Sequence, residues 1–221
     1  MIWSGPTRSQ FLLWIFVCAL AELLGIGIGA GWWVGMDQLN PAPISAAAKW
    51  ISLFLKSFSG VVEGAVLGTL QALVLRRIYP RLPVRKWVVL TVGLAVLGWA
   101  VGSGIRLFAD FSGPQSEPLD PPLGWTLLAS GLMGLLLGTL FGAVQMIAFQ
   151  EAAENAHIWI VVNALGWGIA LPIIYAAASI GSPDMSLQSM LLQAVVAGSL
   201  AGVILGCITG AGLWRIVPRS E

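Results

Sequence analysis

The chain has 221 residues, of which 57% are hydrophobic and only 10% charged, and its formal net charge is +1. Water-soluble domains carry about a quarter charged residues, so this composition excludes one and points to an integral membrane protein. The near-neutral balance, with no basic aromatic surface, RNA-binding signature or zinc spacing, argues against nucleic acid as a partner.

A spanning helix needs about 20 mostly apolar residues, and six stretches qualify. The first covers residues 11–31. Its apolar run is longer than the roughly 7–15 residues of a signal-peptide core and has no strongly basic lead, so it reads as a retained spanning helix. The second lies within residues 45–75 and exceeds one crossing at about 1.5 Å per residue. Its start, residues 46–50, is expected in the interface or projecting outward. The third covers residues 87–108. Residues 110–122 hold Pro114, Pro118, Pro121 and Pro122 and read as an extended, solvent-exposed loop. Pro121 or Pro122 is expected to open the fourth span, residues 125–149. The fifth, residues 158–180, contains Pro172, which should kink it by removing one helical hydrogen bond. The sixth covers residues 187–214. Nothing resembles a linker, so the chain reads as a single membrane domain over 1–221.

Basic residues set the orientation. Arg76, Arg77, Arg81, Arg85 and Lys86 crowd the turn between the second and third spans, Arg8 precedes the first, and Arg215 and Arg219 follow the sixth. With six spans these share one side, which the positive-inside rule makes cytoplasmic. Asp37, Asp110, Glu117, Asp120 and Asp184 fall on the other. Glu151 and Glu154 sit in a cytoplasmic turn without Lys or Arg, but acidic residues weigh little in the rule. Both termini are therefore expected inside a bacterial inner, or internal photosynthetic, membrane.

Three of the spans carry the same ladder: Gly60, Gly64, Gly68 and then Gln71; Gly134, Gly138, Gly142 and then Gln145; Gly198, Gly202, Gly206 and then Thr209. Glycine costs about 1 kcal/mol in a helix in water. Within a bilayer, a small residue at every fourth position lets two backbones approach closely. Each preceding span has a Trp near its cytoplasmic start (Trp14, Trp87, Trp159) and a Gly-Trp further along (Gly31-Trp32, Gly98-Trp99, Gly166-Trp167). The unit is a two-helix hairpin of roughly 65–75 residues, with copies at about 1–80, 81–155 and 156–221. Parallel repeats are related by an axis along the membrane normal. The expected fold is an all-α transmembrane six-helix bundle of three hairpin repeats, pseudo-threefold, its sixth span closing on its first. Gln71, Gln145 and Thr209 fall within the arcs of their glycines. Either each bonds a neighbouring helix as glue worth about 0.6–2 kcal/mol, or the three form a polar collar that touches a solute.

This pattern resembles that of bacterial polytopic membrane proteins built from a glycine ladder, a Gln, an apolar turn ending in Leu-Arg-Arg, and a Trp-led helix with an Asn or Thr and a Gly-Trp. The best match is Gly68-Thr69-Leu70-Gln71-Ala72-Leu73-Val74-Leu75-Arg76-Arg77, followed by Trp87 to Trp99. The second unit keeps Gln145, Trp159, Asn163, Gly166 and Trp167, with Phe149-Gln150-Glu151 in place of the basic pair. The resemblance implies architecture and no chemistry. Mitochondrial carriers share a three-hairpin plan, but their Pro-x-acid-x-x-basic signature is absent here.

Glu22 and Glu63 are the acids deep in the membrane, about 16 Å and about 20 Å from the cytoplasmic ends of their helices. Such a carboxylate reads as functional by default, with a partner expected. Facing each other, the two would share a proton, because close carboxylates cannot both ionise cheaply. The alternative is two protonated acids bonded to backbone or to each other. Ala95, Leu137 and Ala201 take the aligned places elsewhere, so the site belongs to the first hairpin. Lys56, seven residues before Glu63, either reaches it through Ser59 or water, or snorkels to the outer interface with Arg106. One histidine, His157, argues against a multi-pigment protein. Cys18 and Cys207 imply no disulfide framework or metal pair. No nucleophile elbow, zinc-protease, phosphate-loop or dinucleotide motif is present. Neither enzyme nor cofactor is expected.

The expected function is a non-enzymatic scaffold or accessory subunit whose partners are the lipid bilayer and other membrane subunits. The competitor is a small transporter or channel for protons, cations or a small solute, using Glu22 and Glu63 or the Gln71/Gln145/Thr209 collar. A scaffold should have a dry, filled centre and an outward apolar groove; a transporter should have a mid-membrane cavity.

Overall fold

The computed structural model describes residues 3–39, 45–108, 122–180 and 185–219. Most of the proline-rich loop, with Asp110, Glu117 and Asp120, lies outside them, as does Asp184. The elements are α1 (Arg8–Leu39), α2 (Ala46–Ser57), α3 (Ser59–Ile78), α4 (Val84–Phe108), α5 (Leu123–Phe149), β1 (Ala153–Glu154), α6 (Ile158–Ala178), α7 (Leu187–Gly212) and β2 (Val217–Pro218). Six stretches are long and apolar enough to cross a membrane, with α2 and α3 together making the second. That is the number read from hydropathy, and a multi-pass membrane protein requires such spans.

The second stretch breaks at Phe58. Ser45 opens α2 by accepting a hydrogen bond from the Ala48 N–H. Carbonyls near the break accept from side chains: Ser57 Oγ donates to Leu53 O at 2.7 Å, Ser59 Oγ to Lys56 O at 2.7 Å and Trp32 Nε1 to Leu55 O at 2.8 Å. Satisfying these groups is what makes a helix interruption tolerable at membrane depth. From the break α2 packs along α4. α5 opens after Pro122, which stands at its N-cap. α6 runs from Ile158 to Ala178 with Pro172 inside it.

The ladders decide which helices meet. A Cβ added to Gly60 or Gly64 on α3 would lie 2.6 Å from the Cα of Val96 or Val92 on α4. At Gly142 on α5 it would lie 2.5 Å from Ile160 Cα on α6, and Gly134 and Gly138 press as closely on the Trp167 and Asn163 carbonyls. At Gly202 and Gly206 on α7 it would lie 2.7 Å and 2.8 Å from Ala19 and Ile15 Cα on α1. Backbone thus rests on backbone, as small residues at every fourth position allow. The glycines pair each ladder helix with its successor, or α7 with α1, rather than facing an open axis. α1 also packs on α3, α6 on α7 and α4 on α5.

Opposite the α5 ladder the side chains are large and exposed. On α5, Leu128, Leu132, Leu136 and Leu140 are 40–69% exposed while Gly134, Gly138 and Gly142 are buried. Two residues of offset is about 200° on a helix, so leucine and glycine occupy opposite faces. A surface of this kind suits lipid rather than water.

One end of the bundle, here the basic end, is tied together by its turns. Tyr79 Oη donates to Leu213 O at 3.2 Å and Ile216 O at 3.0 Å. β1 pairs antiparallel with β2, matching Ala153 with Pro218 and Glu154 with Val217. Lys86 and Glu151 form an ion pair, and Gln10 Nε2 donates to Arg77 O. These contacts bring the α3–α4 turn, the α5–α6 turn and the C-terminal tail together beside the start of α1.

Candidate functional site

Two polar regions lie inside the bundle, and they differ in chemistry. Nearer the basic end is an aromatic layer. Trp14, Trp87 and Trp159, one from each of α1, α4 and α6, are wholly buried. Trp159 lies 5.8 Å from Trp14 and 5.7 Å from Trp87 between ring centroids, and Phe149 stacks edge-on to Trp159 at 5.3 Å. The ladder-end polar residues serve these rings. Trp14 Nε1 donates to Thr209 Oγ1 at 3.0 Å, and Trp159 Nε1 donates to Gln145 Oε1 at 3.0 Å. Gln145 Nε2 then donates to Thr91 Oγ1 at 3.0 Å, and Thr91 Oγ1 to Trp87 O at 2.9 Å. Asn163 Nδ2 donates to Trp159 O at 2.8 Å. The third pair differs, because Trp87 Nε1 and Gln71 Oε1 are both buried without a hydrogen-bond partner among the described residues.

Gln145 and Thr209 are spent on indoles and neighbouring helices, which is the role of glue. Gln71 is as deeply buried, its amide within reach of the Cys18 thiol.

The second region lies further from the basic end, between α1, α3 and α4. Glu22 is 4% exposed on α1. Cys18, Glu22, Gly25 and Gly29 recur at helical spacing and share a face of α1. A Cβ at Gly25 would lie 2.8 Å from Glu63 Cγ, and one at Gly29 would lie 2.8 Å from Trp99 Cζ2. The two glycines therefore leave the room that the Glu63 side chain and the Trp99 indole occupy. Trp99 Nε1 donates to Glu63 Oε2 at 2.6 Å. Gly25, one turn along α1 from Glu22, is the residue that stands against Glu63. The sequence did not single out these α1 glycines.

Lys56 departs from the snorkelling expectation. It is 4% exposed, and its Nζ lies 5.0 Å from the centroid of the Trp33 ring, itself edge-on to Trp99 at 6.3 Å. The ammonium is held over an indole face, a favourable cation–π arrangement. Lys56 sits on α2, which packs against α4 and α1. Cys18 is buried, Cys207 is exposed, and both are free thiols.

Away from both regions, a cavity of about 400 Å³ opens beside Trp125, Thr126, Ala129, Ser130, Met133 and Tyr175, at the other end of α5 and α6. Its lining is almost wholly apolar. Among the described residues no group of three or more His, Cys, Asp or Glu could hold a metal ion. Comparison of the chain with protein-family models, characterised proteins and solved structures finds no match. Sequence reasoning missed Tyr79 and Phe149, which complete the aromatic layer; Thr91 is the threonine of the Trp-led helix between Trp87 and Trp99. A tyrosine after Arg76-Arg77 and a phenylalanine ending α5 were the available signals.

Proposed function

We propose that the chain is a non-enzymatic scaffold or accessory subunit of a membrane complex, seated in a bacterial inner, or internal photosynthetic, membrane with both termini cytoplasmic. In this reading it is three two-helix repeats about a pseudo-threefold axis. Support for the repeat comes from recurrence: Trp14 on Thr209 and Trp159 on Gln145, with Trp87 and Gln71 in the corresponding places. The observation that carries the function is the burial of Trp14, Trp87 and Trp159 where a conducting path along the axis would run. A scaffold has no use for a lumen. Its outward apolar faces, and the groove beside Trp125 and Tyr175, are the surfaces left for other subunits and lipid.

The second reading, a small transporter for protons, cations or a small solute, draws on Glu22 and Glu63. Carboxylates in a membrane interior are costly and mark ion pathways in many proteins. Flux assays on the full chain in proteoliposomes separate the two. The scaffold reading expects no proton or monovalent-cation flux above protein-free vesicles, and migration of the chain in a larger assembly after mild-detergent extraction. Gradient-driven flux that is abolished by Glu22→Gln or Glu63→Gln would refute it.

A further inference from the structure

We propose that Trp87 and Gln71 hold one buried water molecule between the indole N–H and the amide carbonyl, at the seam where α3 meets α4 in the aromatic layer. The inference stands apart from the scaffold reading. Its first support is a pair of complementary orphans. Trp87 Nε1 is a donor, Gln71 Oε1 is an acceptor, and both are buried without a hydrogen-bond partner among the described residues. Trp87 is 0% exposed and Gln71 5%, so bulk solvent does not reach them. Leaving both unbonded would carry the desolvation cost of each group.

Register sets the two groups opposite one another. In each ladder the third glycine lies against the residue that follows a buried tryptophan: Gly142 against Ile160, Gly206 against Ile15 and Gly68 against Val88. Three residues past each glycine stands Gln145, Thr209 or Gln71. The first two accept directly from Trp159 and Trp14, each at 3.0 Å. Spacing is what differs at the remaining seam. A Cβ at Gly142 or Gly206 would lie 2.5 Å or 2.8 Å from the facing Cα, whereas at Gly68 it would lie 3.2 Å away. The same separation is 2.6 Å at both Gly60 and Gly64, so α3 draws away from α4 on approaching Gln71. A bridge thereby replaces the direct bond of the other two seams. Its occupant must accept from an N–H and donate to a carbonyl, which neither a metal cation nor a halide can do and a water can. Thr91 Cβ lies 3.1 Å from a Cβ placed at Gly68, and its hydroxyl keeps one acceptor lone pair after the bond from Gln145. The seam therefore offers two partners and a third in Thr91, within the range of about 2–4 that buried waters use.

The test is proton-detected NMR of the full chain in lipid nanodiscs, with isotope-labelled tryptophan and the indole signals assigned by single Trp→Phe substitutions. Wild type is expected to show a cross-peak between the Trp87 indole proton and a long-lived water, and none from Trp159, whose N–H is taken by Gln145. Gln71→Leu, which removes the carbonyl, abolishes the Trp87 cross-peak. Thermal unfolding checks that this variant is folded, and Gln71→Met takes its place if it is not. The wild-type comparison of Trp87 with Trp159 stands whether or not either variant folds. A Trp87 proton without a water contact overturns the assignment; if its chemical shift also moves in Gln71→Leu, the two groups are bonded directly. An equal cross-peak at Trp159, or one at Trp87 that survives in a folded Gln71 variant, overturns it too, because the water is then not held by this pair.

Discussion

Substituting Gly64 tests whether the ladders are the surfaces on which the bundle is assembled. An alanine Cβ there would lie 2.6 Å from Val92 Cα, about 0.8 Å inside the 3.4 Å at which ordinary contact begins. The obstructing atom is backbone, so no rotamer change relieves it and α3 must move away from α4. A gap of 0.5–1 Å forfeits roughly a quarter to a half of each dispersion contact along the interface. Overpacking of this kind costs about 1–3 kcal/mol, partly offset by the gain of about 0.5–1 kcal/mol when alanine replaces helical glycine. Gly64→Ala should therefore be mildly destabilising and Gly64→Leu strongly so. Gly93 and Gly98 on α4 are the controls, because a Cβ added to either meets nothing within 4 Å. Gly93→Ala should be neutral or stabilising. Thermal unfolding of the full-length chains in one detergent, with monodispersity checked by size exclusion, reads the difference. If Gly64→Leu unfolds with wild type, or Gly64→Ala and Gly93→Ala move together, the backbone contact is not what holds α3 to α4.

Three further outcomes are expected. Trp159→Phe leaves Gln145 Oε1 without a donor, costing about 1–3 kcal/mol; Trp87→Phe removes an indole N–H that already lacks a partner, so it should cost less by about that amount in the same unfolding assay. Burial pushes the Tyr79 phenol above its ordinary range, so the folded state holds that proton more tightly than the unfolded one. The bundle should keep this contribution below a pH of about 10 and lose it as the pH rises further. Tyr79→Phe should flatten that loss while weakening the basic-end closure at neutral pH; an alkaline transition that Tyr79→Phe leaves unmoved assigns it elsewhere. For topology, cysteine labelling of intact cells should modify Asp120→Cys and spare Arg81→Cys, and external labelling of Arg81→Cys would reverse the proposed orientation.

The spans were legible because a hydrocarbon slab imposes a one-dimensional demand, about 20 apolar residues in a row. Hydropathy placed the ends of α4, α5, α6 and α7 within a few residues. It overlooked the break at Phe58, which depends on Ser57, Ser59 and Trp32 donating to carbonyls near α2's end, contacts that no run of apolar residues encodes. Lys56 shows the same limit. Its seven-residue spacing put it on the Glu63 face of a continuous helix, and the spacing could not show that its ammonium lies over Trp33.

Helical periodicity by itself determined which face of each ladder helix is small, since every fourth residue returns to one face whatever surrounds the helix. Two acids at comparable depth, and a polar residue closing each ladder, followed from the same geometry. Only the tertiary structure decided what each face meets: α3 on α4, α5 on α6 and α7 on α1, with Gln145 and Thr209 bonded to Trp159 and Trp14. It also decided that Gly25 and Gly29 make room for Glu63 and Trp99. The reason is range. A helix's own pattern is set by residues three and four apart, whereas the partner of a glycine or a carboxylate is set by which backbone can approach it. That choice depends on the packing of all six spans at once.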